Sequence, residues 1–248
     1  MYKDKKIVAI IPARGGSKGL PGKNLISLLD RPLITWTIES AISSRYLDRV
    51  IVSTDDKKIA DISEKYGAEI PFIRPGELAM DTTPVMAVIS HTIDFFNDRG
   101  LSFDYIALLE PTSPLRKEDD IDNAIKELID SETRADSLVS VGEVSLEHPA
   151  IMKRIDDGYV KPYEDSSKEI FRRQDLRRVF FPYGVIYLSE TGTLIRYKTF
   201  YQERTIPYII ERWQNYEVDD MFDLICIEAI LRYKLAPSPF PLPSGERG

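Results

Sequence analysis

The feature that most narrows the possible folds is an apolar run that ends abruptly in glycines and cations. KKIVAIIPA (5–13) is apolar without alternation, the pattern of a central parallel strand buried on both faces. The next eleven residues, RGGSKGLPGKN (14–24), interleave Gly15, Gly16, Gly19 and Gly22 with Arg14, Lys18 and Lys23. Glycines let backbone N–H groups turn inward and approach an anion closely, and the cations neutralise it. A polyphosphate is the expected ligand; the plain alternative is a solvated loop with incidental lysines. Two common phosphate motifs are excluded. A Walker A loop needs glycine five residues before its Gly-Lys pair and Ser or Thr after the lysine, whereas Ser17 and Asn24 stand there. No G-x-G-x-x-G occurs, so the dinucleotide fingerprint is absent as well.

Beyond the loop, strand and helix patterns alternate. PLITWTIESAIS (32–43) reads as a helix with proline in its first turn, RVIVST as a strand, and DKKIADISEKYG as a helix with glycine at its C-cap. AEIPFI (68–73) reads as a short strand. A helix from about 84 to 97 follows, with Asp81, Thr82 and Thr83 as candidate caps. FDYIALLE, DDIDNAIKELIDS and ADSLVSVGEV continue as strand, helix and strand. Such alternation predicts parallel strands joined by helical crossovers, with ligands at the strand C-termini. From about 148 to 180 the rhythm changes, and IMKRIDDGYVKPY reads as a hairpin with a DG turn. FPYGVIYLS, TGTLIRYK and TIPYIIE resume the core before a final helix to about 233. The tail 235–248 carries prolines at alternate positions, cannot continue a helix, and is expected to be disordered and without function.

Four further blocks lie in order along the chain: STD (53–55), RPGELAMDTTP (74–84), LLEPTSPLR (108–116) and VDDMFDL (218–224). Together with the glycine loop they resemble the acylneuraminate cytidylyltransferases (CMP–sialic acid synthetases), across roughly residues 5 to 234. The resemblance implies an α/β, Rossmann-like nucleotidyltransferase fold: a mainly parallel sheet flanked by helices, with 148–180 as a small dimerisation insertion. It implies transfer of a cytidylyl group from CTP to the anomeric hydroxyl of an acidic nine-carbon sugar, with Mg²⁺ as cofactor and a homodimer as the assembly. Two rivals remain: a cytidylyltransferase for another acid sugar such as a ketodeoxyoctonate, and a non-catalytic nucleotide- or sugar-sensing module.

Such a transfer is accelerated mainly by positioning and by neutralising charge at the phosphates. By resemblance Arg14 and Lys23 stabilise the transition state and leaving group with Lys18, while Ser17 and Asn24 contact the nucleotide. Arg74 corresponds to the family arginine that reads the pyrimidine; as a surface residue before Pro75 it would do nothing of the kind. Thr112, Ser113 and Arg116 end a strand at the same edge, and an arginine there suits a sugar carboxylate. Phe181, Tyr183 and Tyr187 are candidates for the sugar pocket, or for core. Glu217 and Asp219 lie two apart, and by resemblance Asp219 is the metal ligand, with Glu217 standing where many relatives have aspartate. The same carboxylates, with Asp220 and Asp223, would serve equally as caps of the last helix. Asp55 is a further acidic candidate. Glu110 departs from the glutamine that many sialic acid relatives carry before PTSPLR. It either meets a donor-rich substituent of the sugar or pairs with Arg116 and shapes the pocket.

A formal charge of −7 over 248 residues argues against nucleic acid as a partner. RRQDLRR (172–178) is the one locally basic stretch, read as a solvated face or as an anion- or subunit-contacting segment. The single cysteine, Cys226, excludes an intrachain disulfide and reads as a small core residue. His91 and His148 read as structural or surface residues. No run approaches the length of a membrane span and no signal-peptide pattern opens the chain, so no membrane partner and a cytoplasmic location are expected.

Overall fold

The computed structural model describes residues 1–17, 19–144, 146–164 and 176–235. Lys18, the 172–175 part of the basic stretch and the tail from 236 lie outside the described residues. The strands are β1 (Ile7–Pro12), β2 (Ser27–Leu28), β3 (Arg31–Pro32), β4 (Arg49–Ser53), β5 (Tyr105–Leu108), β6 (Ser137–Glu143), β7 (Lys153–Asp156), β8 (Tyr159–Pro162), β9 (Phe180–Glu190) and β10 (Thr205–Ile209). The helices are α1 (Leu33–Ile42), α2 (Lys57–Lys65), α3 (Val85–Asn97), α4 (Asp120–Ile129), α5 (Thr191–Tyr197) and α6 (Met221–Leu235).

Six strands form the main sheet in the order β10-β6-β9-β5-β1-β4. β1 runs parallel to β4 and β5, and β10 parallel to β6, while β9 is antiparallel to both of its neighbours. The sheet is therefore mainly parallel, with one reversed strand near its middle. The unbroken apolar character of β1 has a direct cause. Ile7, Ala9 and Ile11 face one helical layer, with α1, α2 and α4, while Val8 and Ile10 face the other, with α3 and α5. A third cluster joins Leu20, Leu28 and Leu33 to Val218, Leu224, Ile227 and Leu231. It pins the glycine loop and the β2–β3 hairpin against α6, and so holds the two ends of the chain together at the carboxyl edge of the sheet.

Three local expectations change. AEIPFI is no strand: a single bridge joins Glu69 to Ile51. Pro71 has no N–H to extend the ladder, and the chain turns away to Arg74, whose N–H bonds the Thr54 carbonyl. Asp81, Thr82 and Thr83 do not cap α3, which starts after Pro84 with no side-chain cap. Cys226 is exposed rather than core, because α6 buries Leu224, Ile227 and Leu231 and leaves position 226 off that face. The predicted hairpin is present as β7–β8. Asp156 pairs with Tyr159, so Asp157 and Gly158 form a two-residue turn, and their φ of 52° and 81° match the type I′ geometry that suits twisted strands. Among the described residues no helix is long and apolar enough to cross a membrane.

Candidate active site

Because β1, β4 and β5 are parallel, their carboxyl ends deliver the glycine loop, Thr54–Asp55 and Glu110 to one edge. The loop is braced from beneath. Gly15 N–H donates to Asp55 Oδ1 at 3.0 Å, and a Cβ at Gly15 would lie 2.8 Å from Asp56 Oδ2, so only glycine allows this approach. Asp56 cannot yield easily, since its Oδ1 caps α2 through the N–H groups of Lys58 and Ile59. Gly22 takes φ +66°, the left-handed conformation that turns the chain into the Lys23–Leu25 single turn. Ser17 is half-buried on the loop. Asn24 departs from the expected nucleotide contact: it is buried and its Nδ2 donates to the Arg14 carbonyl at 2.9 Å, which makes it a brace of the loop. Arg14 pairs with Asp81 at 2.5 Å.

Opposite the loop stands the segment before α6. Lys23 Nζ meets Asp219 Oδ1 at 2.9 Å, and the Asp219 side chain is 83% exposed. The two roles weighed for these acids separate cleanly. Asp220 Oδ1 accepts from the N–H groups of Phe222 and Asp223, and Asp223 Oδ2 accepts from the N–H groups of Asp219 and Asp220. This reciprocal arrangement caps α6 and leaves the Asp219 carboxylate facing Lys23. Thr112 holds the segment by its backbone, its carbonyl accepting from Val218 N–H at 2.8 Å. Glu217 differs from the expected metal ligand. Its Oε1 accepts from Ser113 Oγ at 2.8 Å and from Gly184 N–H, which ties it to the protein on two sides.

Arg116 is the clearest correction. Its Nε donates to the Val185 carbonyl, Nη1 to Thr37 Oγ1 and the Ser113 carbonyl, and Nη2 to the carbonyls of Glu110 and Gly184, all at 2.6–2.8 Å. All five N–H groups are used, so no donor remains for a sugar carboxylate, and none reaches the Glu110 side chain. Desolvation lowers its pKa to about 10, and it remains a cation at neutral pH. Arg74 is the opposite case. Its side chain is 3% exposed, Nε and Nη2 are buried without hydrogen bonds, and Asp55 Oδ1 stands 3.7 Å from Nη2. Desolvation lowers its pKa.

The residue that sequence reasoning passed over is Gly184. Between β6 and β9 the register jumps: Val139 faces Tyr187, yet Val141 faces Pro182. The surplus residues of β9 form a bulge, held by Ser140 Oγ, which takes the Ile186 N–H at 2.9 Å. The bulge puts Gly184 against Glu110, where a Cβ would lie 2.5 Å from Oε2 and 2.7 Å from the Glu110 Cβ. A lone glycine inside an apolar strand was the available signal. The bulge also separates three aromatics that strict strand alternation would put on one face. Tyr183 packs toward one core layer and Tyr187 toward the other, against Phe200, while Phe181 is exposed beside Tyr183.

Glu110, Glu217, Asp219 and Lys23 thus converge. Desolvation, then Glu217, push the Glu110 pKa up to about 7, against the opposing pull of Arg116 and Lys23. Among the described residues no group of three or more His, Cys, Asp or Glu is placed to hold a metal ion. Mg²⁺ usually takes only one or two carboxylates and completes its shell with substrate phosphates and water, and Asp219 presents one exposed carboxylate oxygen pair beside Lys23.

A cytidylyltransferase family model matches residues 8–234. The chain is 35% identical over 229 residues to a CMP-N,N'-diacetyllegionaminic acid synthase of Legionella pneumophila, covering 91% of this chain and 96% of that protein. It is 34% identical over 218 residues to an N-acylneuraminate cytidylyltransferase of Escherichia coli, covering 88% of this chain and 50% of that longer protein. In fold it is similar to a solved CMP:2-keto-3-deoxy-manno-octonic acid synthetase complexed with CTP, with a TM-score of 0.67 at 19% identity, covering 93% of this chain and 100% of that one. With the loop, the capped acidic turn and the mainly parallel sheet in place, these matches establish that the chain belongs to the cytidylyltransferase family.

Proposed function

We propose that this enzyme transfers the cytidylyl group of CTP to the anomeric hydroxyl of a nonulosonic acid, giving the CMP-sugar and pyrophosphate. The observation that carries the reading is the Lys23–Asp219 pair, which sets the last cation of the glycine loop against the acidic turn at the edge where β1 and β5 end. Lys23 and Arg14 neutralise the triphosphate and the charge that grows on the departing pyrophosphate, Arg14 exchanging Asp81 for phosphate oxygens. The loop N–H groups and Ser17 seat the phosphates, with Lys18 as a third cation. Arg74 reads the pyrimidine, whose carbonyl and ring nitrogen accept from the two buried nitrogens that make no hydrogen bond in the free protein. Asp219 would hold Mg²⁺, with Glu217 tied to Ser113 beside it, and the ion would supply charge neutralisation at the triphosphate. The CTP pool places the reaction in the cytoplasm.

The β7–β8 hairpin supports a homodimer. Ile155, Tyr159 and Val160 are each more than 70% exposed, a cost in water that a second copy would remove. Light scattering on the intact chain tests this.

Pyrophosphate release on mixing the protein with CTP, Mg²⁺ and a panel of acid sugars tests the activity. Release is expected with CTP and a nonulosonic acid, lost in EDTA and restored by Mg²⁺ or Mn²⁺. Release with a ketodeoxyoctonate alone, or with no sugar, would overturn it.

A further inference from the structure

We propose that Gln214 is a positioning residue for cytidylyl transfer: its buried amide latches the acidic turn of residues 217–219 to the turn that follows β5, and so sets where Asp219 faces the glycine loop. The inference rests on the cytidylyltransferase reading and assigns a role within the same site.

Residues 211–220 connect the end of β10 to α6, and of these only Gln214 and Val218 are buried. Val218 is an apolar plug beneath the glycine loop, in the cluster with Leu20 and Leu224. Apolar contact resists removal but not rotation. A side-chain amide has to meet its partners in direction as well as distance. Gln214 is wholly buried and its amide is fully engaged. Its Oε1 accepts from the Glu211 N–H at 3.1 Å, closing the Arg212–Gln214 single turn. Its Nε2 donates to the Leu115 carbonyl at 2.9 Å and to Asp120 Oδ2 at 2.6 Å. Asp120 is also wholly buried, and it takes the Lys117 N–H on the same oxygen at 2.7 Å and the Tyr208 hydroxyl on the other at 2.9 Å. A buried carboxylate met by three donors is a rigid anchor.

Both ends of the latch lead to the site. Leu115 lies in the same turn as Ser113, whose carbonyl Arg116 grips together with that of Glu110. On the other side the contacts run in antiparallel order: Gln214 to Leu115, Glu217 to Ser113 Oγ, and Val218 N–H to the Thr112 carbonyl. Gln214 is the first rung of this ladder. Asp219 projects one residue beyond the last, to Lys23 at 2.9 Å. Asn215 ties the segment to β6 through the Glu143 carbonyl at 3.1 Å, which holds its far side but does not fix it against the β5 turn. Without Gln214 the acidic turn is left to pivot about two bonds at its own tip, and a misplaced charge is where catalysis by positioning is most easily lost.

The test compares Gln214→Met, which keeps the size of the side chain and removes its hydrogen bonds, with Tyr208→Phe, which removes a bond to the same Asp120 carboxylate from a residue that does not touch the acidic turn. Gln214→Asn keeps the amide but withdraws it by one methylene, and carries the test where the methionine variant does not fold. In the protein free of metal and ligand, amide hydrogen exchange at 215–219, above all at the Val218 N–H, should speed in both Gln214 variants and not in Tyr208→Phe. With CTP, Mg²⁺ and the acid sugar that the wild type uses best, kcat should fall by about 10²-fold in Gln214→Met, the scale of a misplacement of about an ångström. Tyr208→Phe should lower the melting temperature and keep kcat. Unchanged exchange at 215–219, wild-type kcat in both Gln214 variants, or an equal loss of kcat in Tyr208→Phe overturns the proposal and leaves Gln214 a stabilising residue only. A wild type that releases no pyrophosphate with any acid sugar overturns the transfer reading instead, and the exchange comparison then still decides whether Gln214 holds the turn.

Discussion

Glu110→Gln should stabilise the metal- and ligand-free protein, and by an amount that depends on pH. Glutamine has nearly the shape of a protonated glutamate, so the variant resembles the wild type with the Glu110 charge switched off. The carboxyl titrates near 4.5 when exposed and near 7 in the fold. The folded state therefore binds this proton more tightly than the unfolded chain. The stability it contributes is fully present below pH 4.5, erodes as pH rises, and is gone above about pH 7. The interval between the two values corresponds to roughly 3 kcal/mol at 1.36 kcal/mol per pH unit. Partial solvent access screens this to about 1–3 kcal/mol. At about 2–4 °C per kcal/mol for a chain of this size, the variant should melt about 3–10 °C above the wild type at pH 8.5 in EDTA. The difference should shrink steadily toward pH 5. Thermal melts by circular dichroism across pH 5–8.5 measure it. An equal or lower melting temperature at pH 8.5, or a difference that ignores pH, would show that Glu110 is compensated after all. A residue that destabilises the free protein beside the acidic turn is the pattern of a functional site held against stability.

Lys23→Ala and Arg14→Ala should each lower kcat by about 10²–10³ with unchanged circular dichroism, since each removes a cation from the leaving pyrophosphate; near-wild-type turnover would remove the loop from catalysis. Asp219→Asn should raise the Mg²⁺ needed for half-maximal rate while the melting temperature holds, whereas Asp220→Ala should cost about 1 kcal/mol of stability with little change in metal dependence, because Asp220 and not Asp219 caps α6. Gly184→Ala should destabilise by about 1–3 kcal/mol, seen as a lower melting temperature, because the added Cβ displaces Glu110. Arg116→Lys should cost more than about 3 kcal/mol in urea unfolding, since an ammonium cannot serve five acceptors; a KM effect on the sugar with normal stability would instead restore Arg116 to the substrate.

The β1 run and the glycine–cation loop were legible from sequence because local physics dictates both. A strand buried on two faces must be apolar throughout, and a loop that approaches an anion must shed its Cβ atoms. The same holds for Gly67 at the end of α2, with φ of 92°, and for the Asp157-Gly158 turn, each set within a few residues. Resemblance gave Lys23 and Asp219 separate roles at one site, but their contact across almost the whole chain comes from the fold alone, since no local rule links such distant positions. Arg116 and Gly184 show what only the tertiary structure decides. Whether an arginine faces a ligand or five protein acceptors depends on where the β9 bulge brings the carbonyls of Gly184 and Val185. The bulge lies at residues 183–186 of β9, between its two runs of pairing with β6 and just past the end of its pairing with β5. Spacing alone cannot encode that register jump. It is set where strands from distant parts of the chain meet, and it is what sets Glu110 against Gly184.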